Sequence, residues 1–226
     1  MPVRQHDLMA VLTIATYQFP VSADIAANLG FARRQLSLAS QRGARVAHFP
    51  EGALSGYAGP GFGTFAGFDW KLLRDAVGDI AGCCRRLVIW AVIGSSHRLS
   101  DGHKPHNSLY VINDSGAIVE RYDKRFCSGD PGGQSGDLVH YSPGSHFSVW
   151  EIDGITCGAL ICYDYRYPEL YREYRKRGVQ LVFHSFHAGR ASAGRLAEIA
   201  AAIGPQHARF NPAATLTTRA SPCPRP

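Results

Sequence analysis

Three residues of this chain place a reactive side chain just past the end of a strand-like run. Cys162 closes the run in GALICYDYRYPEL, Glu51 follows the run in HFPEGALSGY, and Lys124 follows the run in RYDKRF. A thiol becomes a nucleophile on losing its proton, and a carboxylate drawn partly out of water can accept that proton. An ammonium group can hold the oxyanion that forms when a carbonyl carbon is attacked. Brought together, the three would cleave an acyl bond through a thioester. Each alone has a plainer use: a packed thiol, a loop cap, a surface lysine. The chemistry depends on their meeting.

Their placement argues that they do meet. Glu51 follows a strand predicted over 45–49, Lys124 one over 117–121, and Cys162 one over 155–161. In open α/β sheets, sites collect outside the carboxyl ends of strands. A helix predicted over 166–177 follows Cys162, so the sulfur is expected near a helix N-terminus, where free N–H groups and the helix dipole favour a thiolate. The N–H of Tyr163 is the first candidate to hold an oxyanion. The run GYAGPGFGTFAG after Glu51 lacks the G-K-[ST] ending of a phosphate loop and reads as a flexible flap.

The elements that must carry these residues alternate between strand and helix. LMAVLTIATYQF, residues 8–19, reads as a buried strand. Ser22 is an expected N-cap for a helix reaching Ala39, whose apolar positions are Ile25, Leu29, Ala32, Leu36 and Ala39. A helix over 69–86 and a strand over 87–93 follow. Residues 108–112 and 117–121 flank the turn Asn113-Asp114-Ser115-Gly116. A second hairpin, 149–152 with 155–161, is joined by Asp153-Gly154, a pair suited to a type I′ turn. A strand over 179–184 comes next, then an Ala-rich helix over 191–203 and a Pro-rich, irregular end. Domain organisation is expected as one unit over 8–190 and a tail over 191–226.

The order Glu, Lys, Cys in these contexts resembles the nitrilase superfamily of carbon–nitrogen hydrolases. FPEGALSGY, YDKRF and GALICYDYRYPEL carry the resemblance, with ATYQFPVSADIAANL near the start. Spacings of 73 residues from Glu51 to Lys124 and 38 from Lys124 to Cys162 fit it. The resemblance covers about residues 10–190 and implies an α/β fold, a four-layer α-β-β-α sandwich in which the three residues share one pocket. It implies Glu51 as base, Cys162 as nucleophile, and Lys124 with the Tyr163 N–H as oxyanion holders, with no metal or organic cofactor. Many members carry a second pocket glutamate; here SGDLVHYSPG puts Asp137 at that position, one methylene shorter. Tyr57 and His187 are further candidates to line the pocket. CYDYRYPE is similar to amidases and carbamoyl hydrolases rather than true nitrilases, so the implied substrate is a small amide or N-carbamoyl compound. Members continue past this point with an R-A-x-E-N-like segment that HARFNPAATLTTRASPCPRP does not show. A shortened sandwich, inactive and serving only to bind, is therefore the competing expectation.

Other classes find less support. The net charge is +6, and its densest basic stretch, YREYRKR, reads as a solvated helix face; no zinc-finger spacing or RNA-binding aromatic signature points to nucleic acid. No apolar run reaches the length of a membrane span, and the N-terminus lacks a secretory signal, so a cytoplasmic location is expected. Six cysteines without C-x-x-C spacing are expected to be mostly buried thiols. His184 and His187 suggest a Cys–His pair or a metal site only weakly, because no matched third ligand accompanies them. A homo-oligomer is compatible with the sequence.

Overall fold

The computed structural model describes residues 11–130 and 132–187. Two sheets face each other. The first has the order β1 (Ile14–Thr16), β2 (Val46–His48), β3 (Trp90–His97), β4 (His106–Ile112), β5 (Ile118–Asp123). β1, β2 and β3 run parallel, while β4 and β5 return antiparallel, so β2 and β5 point the same way. The second sheet has the order β6 (Val149–Ile152), β7 (Ile155–Ile161), β8 (Leu181–Ser185). β6 and β7 form a hairpin, and β8 lies parallel to β7.

Helices cover the outer faces. α1 (Ile25–Gln41) and α2 (Trp70–Leu87) bury Ala32, Leu36, Ile80 and Cys84 against Ala47, Ala91, Ile93 and Ile112 of the first sheet. α3 (Pro168–Lys176) lies on the second sheet, its Tyr174 ring filling the space over Gly158, where a Cβ would come within 2.7 Å of the ring. Between the sheets, Val46, Val92, Leu109, Val111 and Tyr122 meet Trp150, Ile152, Cys157, Ala159 and Ile161. The layers are therefore α-β-β-α, as expected. Arg45 pins one end of the sandwich, pairing with Asp153 at 2.8 Å and Asp114 at 2.8 Å in the two hairpin turns.

Several element boundaries differ from the sequence reading, each for a local reason. The first strand is confined to Ile14–Thr16 within the described part of 8–19. α1 is capped by Asp24, whose carboxylate accepts the Ala27 N–H at 3.0 Å, and not by Ser22. Ser22 instead takes the Asp24 N–H on its hydroxyl and gives its own N–H to Asn28. Asn28, fully buried, passes its amide to the carbonyl oxygens of Ser22 and Leu54, tying α1 to the loop after Glu51. The strand expected at 87–93 begins only at Trp90. Leu87 still belongs to α2, which ends at Val88 with a left-handed φ of 53°. An apolar run such as LVIWAVI cannot by itself mark where a helix stops.

Other expectations hold. The turn between β6 and β7 has Asp153 at φ 49° and Gly154 at φ 81°, the two positive values a type I′ turn requires. On α3, Arg172, Lys176 and Arg177 pair with Glu169 and Glu173 on an exposed face. Cys83, Cys84 and Cys157 are buried thiols, while Cys127 and Cys162 are half-buried. No helix among the described residues is long and apolar enough to cross a membrane. The expected helix over 191–203, the irregular end and the boundary after 190 lie outside the described residues.

Candidate active site

Glu51, Lys124 and Cys162 converge from three strand ends. Glu51 lies past β2, Lys124 directly after β5, and Cys162 directly after β7 on the facing sheet. β2 and β5 deliver their ends to the same edge because the sheet between them reverses twice. The end of β8 closes over this edge: Ser185 donates its hydroxyl to the Phe49 carbonyl at 2.8 Å and takes a hydrogen bond from the His48 ring, also at 2.8 Å. Burial lowers the His48 pKa to about 4, so this ring is neutral at ordinary pH.

Glu51 is fully buried and its carboxylate is surrounded by donors. Oε1 accepts from Lys124 Nζ at 2.9 Å and from Asn107 Nδ2 at 2.7 Å, while Oε2 accepts the His187 N–H at 2.8 Å. Lys124, 1% exposed, also reaches Asp137 Oδ2 at 2.7 Å. Burial alone would lower the Lys124 pKa. The charges of Glu51 and Asp137, with the hydrogen bond to Asp137, outweigh it and hold the group well above its usual value, as an ammonium.

The shorter side chain of Asp137 therefore does reach Lys124. Its other oxygen takes the Tyr57 hydroxyl at 2.5 Å, and Oδ2 also accepts the Ser128 N–H at 3.1 Å. Burial raises the Asp137 carboxyl, but Lys124, Tyr57 and the Ser128 N–H together bring it below its ordinary value, so it is ionised at neutral pH. Tyr57 is buried and stacks on the His187 ring at 4.8 Å between centroids. The glycine-rich run after Glu51 begins as a tight turn here, with Gly61 N–H bonded to the Tyr57 carbonyl at 2.8 Å.

Cys162 departs from expectation in two ways. No α-helix follows it directly: residues Cys162–Arg166 form a short 3-10 turn, and α3 starts only at Pro168. Nor is its thiol acidified. Burial raises its pKa first, and Glu51, both by its charge and by a side-chain hydrogen bond, raises it further; Lys124 opposes them without prevailing. The resting group is a thiol beside a carboxylate, not a dipole-stabilised thiolate. Cys162 also has φ 40°, left-handed backbone that is sparsely populated by non-glycine residues and that clusters at functional sites. Tyr163 is half-buried, its ring edge-on to Tyr167 at 6.0 Å.

The histidines serve other ends than a Cys–His pair. His184 accepts the Tyr171 hydroxyl at 2.9 Å and donates to the Cys162 carbonyl at 3.2 Å, so it touches the backbone of the cysteine rather than its sulfur. His187 contributes its N–H to Glu51 and its ring to Tyr57. Among the described residues no group of three or more His, Cys, Asp or Glu side chains is arranged to hold a metal ion.

Three residues at this edge were not singled out by sequence. Asn107 sits at the start of β4, where HNSLYV reads as an ordinary half-polar strand; only its pairing between β3 and β5 aims it at Glu51. Gly94 on β3 leaves room for the Glu51 backbone, because a Cβ there would lie 2.2 Å from the Pro50 carbonyl oxygen and 2.6 Å from the Gly52 nitrogen. Asp164, two residues after Cys162, is fully buried and accepts the Phe126 N–H of the loop past β5 and the Ile161 N–H of β7.

The sequence model of carbon-nitrogen hydrolases matches residues 13–213. The chain belongs to the carbon-nitrogen hydrolase family. Among curated relatives, the omega-amidase NIT2 of Xenopus tropicalis is 30% identical over 181 residues, which are 78% of this chain and 63% of the relative. The omega-amidase NIT2 of Danio rerio matches to the same extent, and the 2-oxoglutaramate amidase of Bacillus subtilis is 28% identical over 96 residues. The chain thus spans less than two thirds of the length of the omega-amidases it matches. In fold, an amidase from Nesterenkonia sp. superposes with a TM-score of 0.71 at 22% identity, covering 81% of this chain and 68% of the amidase. A variant of that amidase carries the acetamide moiety of fluoroacetamide on its active-site cysteine, and another variant holds butyramide.

Proposed function

We propose that this carbon-nitrogen hydrolase chain cleaves the C–N bond of a small amide through a thioester on Cys162. One observation carries the reading: the buried Glu51 carboxylate is held by Lys124 and Asn107, and its charge acts on the Cys162 thiol to keep the proton there. The names of the omega-amidase relatives, and the amide ligands of the structurally similar amidase, support an amide over an N-carbamoyl compound.

The steps follow from the charges. Glu51 takes the thiol proton as sulfur forms its bond to the amide carbon, and the carbonyl oxygen becomes an oxyanion held by the Lys124 ammonium and the Tyr163 N–H. Glu51 then returns the proton to nitrogen, the C–N bond breaks, and ammonia or an amine leaves. Water, deprotonated by Glu51, attacks the thioester; the sulfur recovers a proton and the carboxylic acid departs. Asp137 and Tyr57 brace Lys124, and the His187 ring behind Tyr57 lines the same pocket. No step calls on a metal or an organic cofactor, and a cytoplasmic location is part of this reading.

The test is intact-protein mass spectrometry after mixing with short aliphatic amides and N-carbamoyl compounds, alongside an ammonia assay. Acyl mass on the wild type, absent from Cys162→Ala, is expected with the amides. A folded wild type that gains no adduct and releases no ammonia would overturn the proposal.

A further inference from the structure

Cys162 and Lys124 stand on different sheets, and apolar contact between the sheets has no direction of its own to fix their separation. One side chain supplies that direction. The Asp164 carboxylate takes the Phe126 N–H on Oδ1 at 2.9 Å, and takes the Tyr122 hydroxyl at 2.8 Å and the Ile161 N–H at 3.0 Å on Oδ2. Tyr122 and Phe126 bracket Lys124, two residues to either side, and Ile161 immediately precedes Cys162. The same carboxylate thus holds both flanks of the lysine and the entry to the left-handed cysteine turn. We propose that Asp164 is a positioning residue for the hydrolysis, fixing the Cys162 sulfur relative to Lys124 and Glu51 by binding at once the Tyr122 hydroxyl of β5, the Phe126 N–H in the loop beyond it and the Ile161 N–H of β7.

The inference rests on the catalytic reading of Cys162, yet it is tested on the sulfur rather than on turnover. An ionised carboxylate can accept all three hydrogen bonds; the asparagine isostere has one acceptor oxygen and turns an N–H₂ toward the remaining donors. Asp164→Asn therefore loses one side of the bridge while keeping the volume. The groups that face Asp164 are Tyr122, Lys124, Cys127, Tyr167, Tyr171 and Tyr174. Lys124 is the cation among them and is unchanged by the substitution.

The experiment measures the rate of Cys162 alkylation by iodoacetamide against pH, by peptide mass, in the full chain. Cys83 and Cys84, buried on α2, report any general loosening. Asp164→Asn is expected to slow Cys162 alkylation at pH 7.5 by about tenfold or more, since misplacement of about 1 Å can cost 10²-fold in reactivity. The pH midpoint of the reaction should also move, by about half a unit or more, while Cys83 and Cys84 stay protected. A variant that melts at lower temperature but keeps the wild-type rate and midpoint at Cys162 would show a purely structural role and overturn the proposal. Should Asp164→Asn not fold, Tyr122→Phe decides: it removes one of the three hydrogen bonds, and an unchanged rate and midpoint overturn the proposal equally. A wild type that alkylates normally but hydrolyses no amide would sink the proposed function and leave this test standing.

Discussion

Replacing Lys124 by methionine should strand two buried carboxylates, and the cost can be worked from the geometry. The ammonium lies 2.9 Å from Glu51 Oε1 and 2.7 Å from Asp137 Oδ2, with all three side chains at most 4% exposed. At an effective dielectric constant of about 20, each contact is a gross attraction of about 6 kcal/mol. Much of that offsets desolvation, and the measured cost of removing one partner from a buried pair is about 3–5 kcal/mol. Methionine fills most of the lysine volume, so a cavity contributes little. Lys124→Met should thus lose about 3–5 kcal/mol at pH 7.

Asp137→Asn should then act with opposite signs in the two backgrounds. With Lys124 present it removes a charge-assisted hydrogen bond and costs about 1.5–3 kcal/mol. In Lys124→Met it removes a stranded charge and recovers about 1–2 kcal/mol, by the same reasoning that makes an unpaired buried charge costly. The pH dependence also reverses. In the wild type the Asp137 carboxyl, raised by burial but lowered further by Lys124, Tyr57 and Ser128, lies below its unfolded value of 3.8. A depressed carboxyl contributes stability above 3.8 that is lost as pH falls through its folded value. Without Lys124 burial prevails, and acidifying from pH 7 to 5 should stabilise the variant. Urea unfolding of the four proteins at both pH values measures the cycle. The reasoning fails if Asp137→Asn destabilises both backgrounds equally, or if Lys124→Met at pH 7 stays within about 1 kcal/mol of the wild type.

Two further outcomes are expected. Gly94→Ala must displace the Pro50–Gly52 backbone, so it should cost about 1–3 kcal/mol or more and abolish ammonia release even where the protein remains soluble. Gly78→Ala, on α2 with nothing within 4 Å of the added carbon, should instead gain about 0.5–1 kcal/mol; equal melting temperatures for the two variants would refute the contrast. Burial raises the Asp164 carboxyl from 3.8 to about 6, so its ionisation weighs against the fold as pH rises between these values and fully above them. The stability of Asp164→Asn relative to wild type should improve by about 2 kcal/mol from pH 4.5 to pH 7, measured by urea unfolding, and a flat difference would contradict this.

The sequence carried the candidate site further than its element boundaries. Glu51, Lys124 and Cys162 were legible because each lies just past a predicted strand in a motif of the family resemblance, and strand ends meet at a sheet edge whatever the exact register. Asp137 was singled out only by the family resemblance, and its reach resolved once Tyr57 and Ser128 were seen to hold its carboxylate against Lys124. Asn107 escaped because its direction depends on an antiparallel return between β3 and β5, a non-local fact that no window of residues contains. The strand at 87–93 was misplaced because α2 and β3 are both apolar across their junction, and Val88 makes the turn in a left-handed conformation that a β-branched residue rarely adopts.

The setting expected for Cys162 changes in one respect: a 3-10 turn, not an α-helix, follows it directly, and the proposed route with Glu51 as base does not need a helix there. A helix N-terminus beside the sulfur would have favoured a thiolate, a nucleophile at rest. Burial and the neighbouring Glu51 do the opposite and keep the proton on sulfur. On the proposed mechanism, reactivity then depends on the proton leaving as the carbonyl carbon arrives, which requires thiol, carboxylate and ammonium to be placed together before the substrate enters. That requirement gives weight to groups with no part in bond making. Asn107 orients Glu51, Gly94 admits its backbone, and Asp164 links Tyr122 of β5 to Ile161 of β7. Changes at these three should therefore depress the rate of the chemical step more than the affinity for substrate, the signature of an interaction made mainly in the transition state.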